Sequence, residues 1–482
     1  MAHPSRPQAT GPESGRATRP PDPAREADPS LPARSGGEPA AARAGVRERL
    51  RRHALPLVIL WVTALVIGGA TMANNRLLSP IDEAAHLDYV LSMPARVPPA
   101  GDPMSQETLE IYACRGGNVA EVLPARGAAY YEPGAYPWDG YGLAGTHPPV
   151  YYLVTAGVGA VVRAIGPLDT LDSFRAVGLL WFGAALTATY ALSIRLGARR
   201  STAVGVALLV AATGETVTSA ATIGPDVAAW FAGGLVLLAA VHHRGRRADT
   251  AILLAACLFA ASVKLTCLLA VGAAMIFLVV RRPLGVRAPG GYWREWATAS
   301  AAGLVFVVPS LAWMTYAASL ATKAAEEIPQ SAAFVLDGDL PLGAVAAQVT
   351  AFLSPIFYGY VADFMTGSLE LRTGAFSSMV ILLGTLTAVV AGRARPVLCA
   401  LGIGVAVLTI VGGPLMTVAN YLTSESFFPM NPRYGMPLVA GMAGLTAATF
   451  DTPALRRAML VTGAVMVAVL LAQALPLGLG AA

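Results

Sequence analysis

The sequence predicts an all-α integral membrane protein of about eleven transmembrane helices with a large first external loop holding short juxtamembrane helices. Three observations point there. Of 482 residues, 55% are apolar and only 13% charged. The mean hydropathy is +0.57. Many apolar runs approach or exceed the roughly 18–20 residues that cross about 30 Å of hydrocarbon. A soluble helical protein of this size would need polar faces on most helices, and they are missing. The net charge of +5 makes no case for nucleic acid, because basic residues of membrane proteins gather on cytoplasmic loops. Cys257, Cys267 and Cys399 lie in apolar runs and Cys114 stands alone, so neither a disulfide framework nor a zinc site is implied.

Residues 1–53 are rich in Pro, Ala, Arg, Gly and Ser and nearly devoid of large apolar residues. Such a tail cannot bury enough surface to offset its ordering entropy and is expected to be disordered. It ends in Arg43, Arg47, Arg49, Arg51 and Arg52, ahead of the apolar run 54–73. A cleaved signal peptide is one reading of that run. An uncleaved first helix with a cytoplasmic N-terminus suits the long tail better. The remainder, 54–482, reads as one polytopic membrane domain.

A polar stretch, 74–148, follows, in which acids outnumber bases, and it is expected outside. The run 150–165 is assigned to the outer interface. A full crossing there would place Arg195, Arg199 and Arg200 outside, against the positive-inside rule. The later runs then alternate: 176–194, 201–222, 227–241, 251–263, 265–280, 297–320, 377–391, 397–418, 434–450 and 458–477. Their basic links (His242 to Arg247, Arg281 to Arg294, Arg393 and Arg395, Arg456 and Arg457) all fall inside, and a second external region spans 321–376. The pair 251–280 is short for two spans.

Chemistry-bearing residues stand out against this apolar background. Ser79-Pro80-Ile81-Asp82-Glu83-Ala84-Ala85-His86-Leu87-Asp88-Tyr89 opens the first loop. Ser79 and Pro80 suit a helix start, with acids in the first turn favoured by the dipole. On such a helix Asp82, His86 and Tyr89 share one face, with Glu83 about 100° round. A surface helix with an N-terminal charge pair explains this spacing, and so does a carboxylate held at the membrane surface to take a proton from an acceptor hydroxyl. Asp82 and His86 could also ligate a divalent cation, but two ligands are not a site, and no cofactor is indicated.

Thr146-His147-Pro148-Pro149-Val150-Tyr151-Tyr152 closes the loop, the prolines forcing an extended entry. An interfacial tyrosine belt is the structural reading; a return of the chain to the acidic helix is the functional one. Tyr130, Tyr131, Tyr136, Trp138 and Tyr141 offer sugar-stacking faces, although aromatics at an interface are the default. Arg175 precedes a crossing, Asp226 sits in Ile223-Gly224-Pro225-Asp226, and Lys264 lies between two apolar halves. Ionisable groups in such places are costly and mark pathways or sites; for Arg175, snorkelling to headgroups is an equal alternative. Asn431-Pro432-Arg433-Tyr434 puts an Arg where it meets a phosphate, of a lipid headgroup or of a substrate.

The order of these motifs resembles the GT-C superfamily of membrane glycosyltransferases, which includes protein O-mannosyltransferases and lipid A aminoarabinose transferases. It looks most like a bacterial multi-pass family of unknown function whose first loop carries Pro-Asp-Glu-x-x-His. The likeness spans about residues 54–450. Ile81 replaces the Pro before the acids, and Gly224 stands where an Asn often precedes Pro-Asp. The resemblance implies a GT-C-like fold in a bacterial plasma membrane. It also implies transfer of a sugar from a polyprenyl-phosphate donor to an envelope glycan, lipid or protein acceptor on the outer face, with inversion. By that resemblance Asp82 or Glu83 is the general base, and Lys264, Arg175 and Arg433 are candidates for the donor phosphate. His86, His147, Asp226 and Tyr434 complete the candidate substrate site. Two rivals remain: a transporter or lipid flippase, which calls for internal repeats and helices broken near the midplane, and a non-catalytic envelope assembly protein.

Overall fold

The computed structural model describes residues 38–79, 82–117, 132–286, 291–336, 338–356 and 368–474. Residues 1–37 of the expected disordered tail lie outside them, as do Pro80, Ile81, Tyr130, Tyr131 and part of the second external region. The chain forms two units, 1–53 and 54–482.

Apart from three isolated β-bridges, the regular structure among the described residues is helical. Helix α1 (Glu38–Asn74) precedes the first loop, which carries α2 (Glu83–Ser92), α3 (Gln106–Arg115) and short 3-10 turns, so the expected juxtamembrane helices are present. Then follow α4 (Val150–Ile165), α5 (Thr170–Arg195), α6 (Arg200–Ala211), α7 (Gly214–Ala221), α8 (Asp226–His242), α9 (Arg247–Val263), α10 (Leu268–Val280) and α11 (Tyr292–Leu320). The second loop holds the short α12 (Pro329–Ala332) and α13 (Leu342–Ala347). The chain continues with α14 (Ser368–Val390), α15 (Pro396–Ser424), α16 (Val439–Thr449) and α17 (Pro453–Ala474).

This is a multi-pass membrane protein. Six described helices are long and apolar enough to cross a bilayer: Arg52–Asn74, Thr170–Arg195, Tyr292–Leu320, Thr373–Val390, Pro396–Ser424 and Pro453–Gln473. Helices α6 and α7, bent by 73°, make a seventh if counted as one broken span. Two of the eleven expected crossings fall on helices shorter than a full span, Asp226–His242 and Leu265–Val280, and the run assigned to the outer interface forms a third short apolar helix, Val150–Ile165. Their outward faces stay apolar: α4 buries Tyr151, Tyr152, Thr155 and Gly159 while Leu153, Val161 and Ile165 are exposed.

Ion pairs fix how α8, α9 and α10 run. The start of α8, Asp226, meets Lys264 just after α9. The far end of α8 gathers Arg281, from the end of α10, with the His243 carbonyl at 2.9 Å and Glu295 of α11 at 2.6 Å. So α9 and α10 form a hairpin whose tip is Lys264, and the two charged clusters stand about 25 Å apart, the length of a 17-residue helix.

Close backbone approaches shape the Asp226 end. A Cβ on Gly233 of α8 would lie 2.2 Å from the Pro437 carbonyl, and one on Gly178 of α5 would lie 2.2 Å from the Ala220 carbonyl. Only glycine lets the 3-10 turn Pro432–Leu438 sit on α8 and lets α7 sit on α5.

Candidate functional site

The two neighbouring acids of the first loop go to different places. Glu83 is fully buried. Its carboxylate accepts from Arg175 Nε at 2.8 Å and Nη2 at 2.7 Å, from the Ile223 amide at 2.9 Å and from the Ser79 amide at 2.7 Å. Arg175, equally buried, also donates to the carbonyls of Asn75 at 2.5 Å and Leu77 at 2.8 Å. The pair thus ties the start of the loop to α5 and to the turn before α8. Both groups have their hydrogen bonds filled from within the protein, and such pairing is what makes two buried charges tolerable.

Asp82 faces the other way. It does not continue the helical face of His86 and Tyr89, and α2 begins at Glu83 rather than at Ser79 or Pro80. Asp82 is the N-cap in the left-handed region, φ 56°, and makes no side-chain capping bond. Asp is one of the few residues that visits this region readily. The turn swings its side chain outward, leaving it 42% exposed, with Oδ2 3.5 Å from Arg433 Nη2.

From Asp82 a chain of alternating charges runs inward. Arg433 Nη1 lies 3.6 Å from Asp226 Oδ2, and Asp226 Oδ1 accepts from Lys264 Nζ at 2.5 Å. Local sequence sets each partner. Asp226 follows Pro225 in the first turn of α8, where the helix dipole favours an anion. Lys264 is extended, φ −160° and ψ 138°, breaking the hairpin tip; such a break within an apolar region is tolerated only where protein or a cavity covers it. Asn431 caps the turn that carries Arg433, accepting its amide at 3.1 Å. Tyr434 presents its ring to both cations, 5.2 Å from Lys264 Nζ and 5.8 Å from Arg433 Cζ.

The loop closure packs beside this row. Tyr152 of α4 hydrogen-bonds His86 Nδ1 at 2.8 Å and stacks on Tyr89 with ring centroids 3.8 Å apart. His147 sits 5.6 Å from His86, centroid to centroid, and its carbonyl accepts from the Tyr89 hydroxyl at 3.4 Å. Tyr151 accepts from the Gly224 amide at 2.9 Å. Burial, then the nearby Lys264 and Arg433 charges, push His86 down to about 3. Burial moves His147 the same way. Both imidazoles are therefore neutral near pH 7.

The expected residues thus divide. Asp82, His86, His147, Asp226, Lys264, Arg433 and Tyr434 converge on one end of the helical domain, while Glu83 and Arg175 form a separate, saturated pair beneath it. Of the loop aromatics, Tyr136 is buried, its hydroxyl donating to the Leu109 carbonyl at 3.0 Å. Tyr141 lies under Lys323, and Trp138 is exposed.

Among solved structures the chain is similar to ArnT from Cupriavidus metallidurans bound to undecaprenyl phosphate. The two are 17% identical, the match covers 88% of this chain and 64% of that one, and the TM-score is 0.47. The apo state of the same protein gives 18% identity, 87% and 62% coverage, and a TM-score of 0.43. The apo Archaeoglobus fulgidus oligosaccharyltransferase gives 12%, 88% and 56%, with a TM-score of 0.48. The chain spans less than two thirds of the length of each. No family model matches the chain, and no curated protein matches it.

One lining residue escaped the sequence reading. Glu215 of α7 is buried and borders the same crevice as Ser79, His86, Asp226 and Arg433. The available signal was a lone carboxylate inside the apolar run 201–222, which the rule for intramembrane charges picks out. Among the described residues, no group of three or more His, Cys, Asp and Glu is placed to hold a metal ion.

Proposed function

We propose that the protein is a membrane glycosyltransferase that moves a sugar from a polyprenyl-phosphate donor to a cell-envelope acceptor, on the outer face of a bacterial plasma membrane. The observation that carries this reading is the row Asp82–Arg433–Asp226–Lys264. A partly exposed carboxylate stands at its mouth, and two cations are held behind it in an apolar domain. The basic residues His242 to Arg247, Arg281 and Arg282 lie at the opposite end of α8, and by the positive-inside rule this supports an external site.

In this mechanism Asp82 is the base and Glu83, its hydrogen-bonding capacity filled, is not. An acceptor hydroxyl approaches the anomeric carbon from the side opposite the lipid phosphate. Its oxygen forms the new bond to that carbon while the bond to the phosphate oxygen breaks, inverting the centre. The hydroxyl proton passes to the Asp82 carboxylate. The electron pair of the broken bond stays on the polyprenyl phosphate, whose growing charge is met by Arg433 and Lys264. A phosphate leaving group needs stabilising cations more than a general acid, which fits neutral His86 and His147 in positioning roles.

A transporter would use the same charges near the bilayer centre. Here they gather at one end of α8, and this favours surface chemistry over passage. The test is reconstitution in proteoliposomes with polyprenyl-phosphate sugars labelled in the sugar, scoring release of lipid phosphate. Turnover that is lost in Asp82→Asn at normal folding and insertion is the expected result. Wild-type protein that binds and cleaves none of a broad donor panel would remove the proposal.

A further inference from the structure

Glu215 has no part in that mechanism, yet its surroundings are specific. It lies in the first turn of α7 and is 95% buried, its relative exposure being 5%. Oε1 accepts from the Ser219 hydroxyl at 3.2 Å. Oε2 has no hydrogen-bond partner among the described residues, and neither does Nε of Arg433. Both residues line the same crevice. A buried polar atom left unpaired costs about 1–3 kcal/mol, more when charged, so an unfilled acceptor and an unfilled donor around one small space call for an occupant.

The chemistry of that occupant follows from the two atoms. Oε2 needs a donor and Arg433 Nε needs an acceptor, and a hydroxyl is the small group that is both. The free volume is about 20 Å³, room for one such group and not for a sugar ring. Thr218 and Ser219 of α7, and Thr222 just after it, add further hydroxyls to the lining.

We infer that Glu215 is a specificity residue that recognises one ring hydroxyl of the donor sugar. That hydroxyl enters the crevice, donating to Glu215 Oε2 and accepting from Arg433 Nε. The ring remains at the mouth beside Asp82, where its anomeric carbon faces the base. This inference rests on the glycosyl-transfer reading above. It adds that the site selects a polyhydroxylated donor and rejects one lacking the hydroxyl, because a buried polar pair is then left unfilled.

The test measures binding of two kinds of lipid to the full chain in nanodiscs. One is undecaprenyl phosphate alone. The other is a panel of undecaprenyl-phosphate-linked hexoses, pentoses and N-acetylhexosamines, with single-deoxy forms of the best binder. Wild-type protein is expected to hold at least one glycosylated lipid more tightly than the bare lipid phosphate. Glu215→Ala should weaken that lipid about 10- to 100-fold while leaving the bare lipid phosphate within about twofold. Glu215→Gln keeps the shape but turns a donor toward the crevice, and should show the same selective loss if the alanine variant does not fold. One deoxy form should bind wild type and variant alike, identifying the hydroxyl read. Equal weakening of both lipid kinds would make Glu215 a packing residue, and a panel bound no better than bare lipid phosphate would make the crevice a water site; either result overturns the inference while leaving transfer intact. Wild-type protein that binds neither kind would instead remove the glycosyl-transfer reading and this inference with it.

Discussion

The adjacent carboxylates Asp82 and Glu83 should answer neutral amide substitution in opposite ways. Glu83→Gln replaces one oxygen of a carboxylate that accepts four hydrogen bonds, two of them from Arg175. The new amide turns a donor against donors and leaves the fully buried guanidinium without its counter-charge. Breaking a buried ion pair in this way costs about 3–5 kcal/mol, or about a hundred- to several-thousand-fold in the folding equilibrium at about 1.4 kcal/mol per tenfold. Asp82→Asn removes a charge that is 42% exposed and 3.5 Å from Arg433, at a position whose left-handed backbone Asn adopts equally well. Its stability change should stay within about 0.5 kcal/mol, whereas loss of a general base costs about 10²–10⁴ in turnover. Thermal midpoints in detergent, read beside lipid-phosphate release in proteoliposomes, separate the two. A Glu83→Gln protein with wild-type midpoint and no turnover, beside an active Asp82→Asn, would refute the assignment.

Further outcomes follow from the same geometry. Asp226→Ala strands Lys264 and Arg433 and should cost about 3–5 kcal/mol, while the double variant Asp226→Leu/Lys264→Met should regain stability but not turnover, as thermal melts and transfer assays on the same samples will show. Gly233→Ala drives a Cβ to 2.2 Å from the Pro437 carbonyl and should displace the Arg433 turn, costing about 1–3 kcal/mol and raising the KM for donor. Because burial holds His86 down to about 3 against about 6.5 unfolded, the unfolded chain binds the extra proton between those values. Stability is then full above about pH 6.5 and falls toward pH 3, by at most about 1.4 kcal/mol per unit from this group, and His86→Gln should flatten that slope in melts taken from pH 7 to pH 4.

The helical membrane class was legible because hydropathy acts residue by residue, and so were most residues of the candidate site, since a charge in an apolar run is conspicuous wherever the chain takes it. Asp226 and Lys264 stand out that way, and Arg433 by its place in Asn431-Pro432-Arg433-Tyr434. What spacing could not do was separate Asp82 from Glu83. Their roles are set by Arg175, which is 92 positions from Glu83, and by a left-handed turn at Asp82 that no periodicity signals. Reading Asp82, His86 and Tyr89 as one helical face failed for that second reason. Glu215 went unnoticed although it carried the same signal as Lys264, and only the bend between α6 and α7 shows that it faces the crevice. The count of eleven crossings rested on short runs such as 251–263 and 265–280, read as an outward and an inward pass; that their junction, Lys264, meets Asp226 is a tertiary fact that no run length signals.

The distances within the charged row also imply an order of events when a phosphate arrives. Lys264 grips Asp226 at 2.5 Å, closer than the roughly 2.7–2.9 Å of an ordinary charge-assisted N–H···O bond. Arg433 stands 3.5 and 3.6 Å from its two carboxylates, too far for a good hydrogen bond to either, and its Nε is unfilled. A cation whose carboxylate contacts are both long gives them up at smaller cost than one in a tight buried pair. In the proposed mechanism Arg433 is therefore the cation that turns to the donor phosphate first, and its departure withdraws a positive charge from Asp82 as the acceptor hydroxyl arrives. Donor binding and activation of the base are then one movement. Lysine at position 433 would keep the charge but not the fork that spans two carboxylates. Arg433→Lys should therefore lower kcat as well as donor affinity; an effect on affinity alone would separate the two steps and count against the coupling.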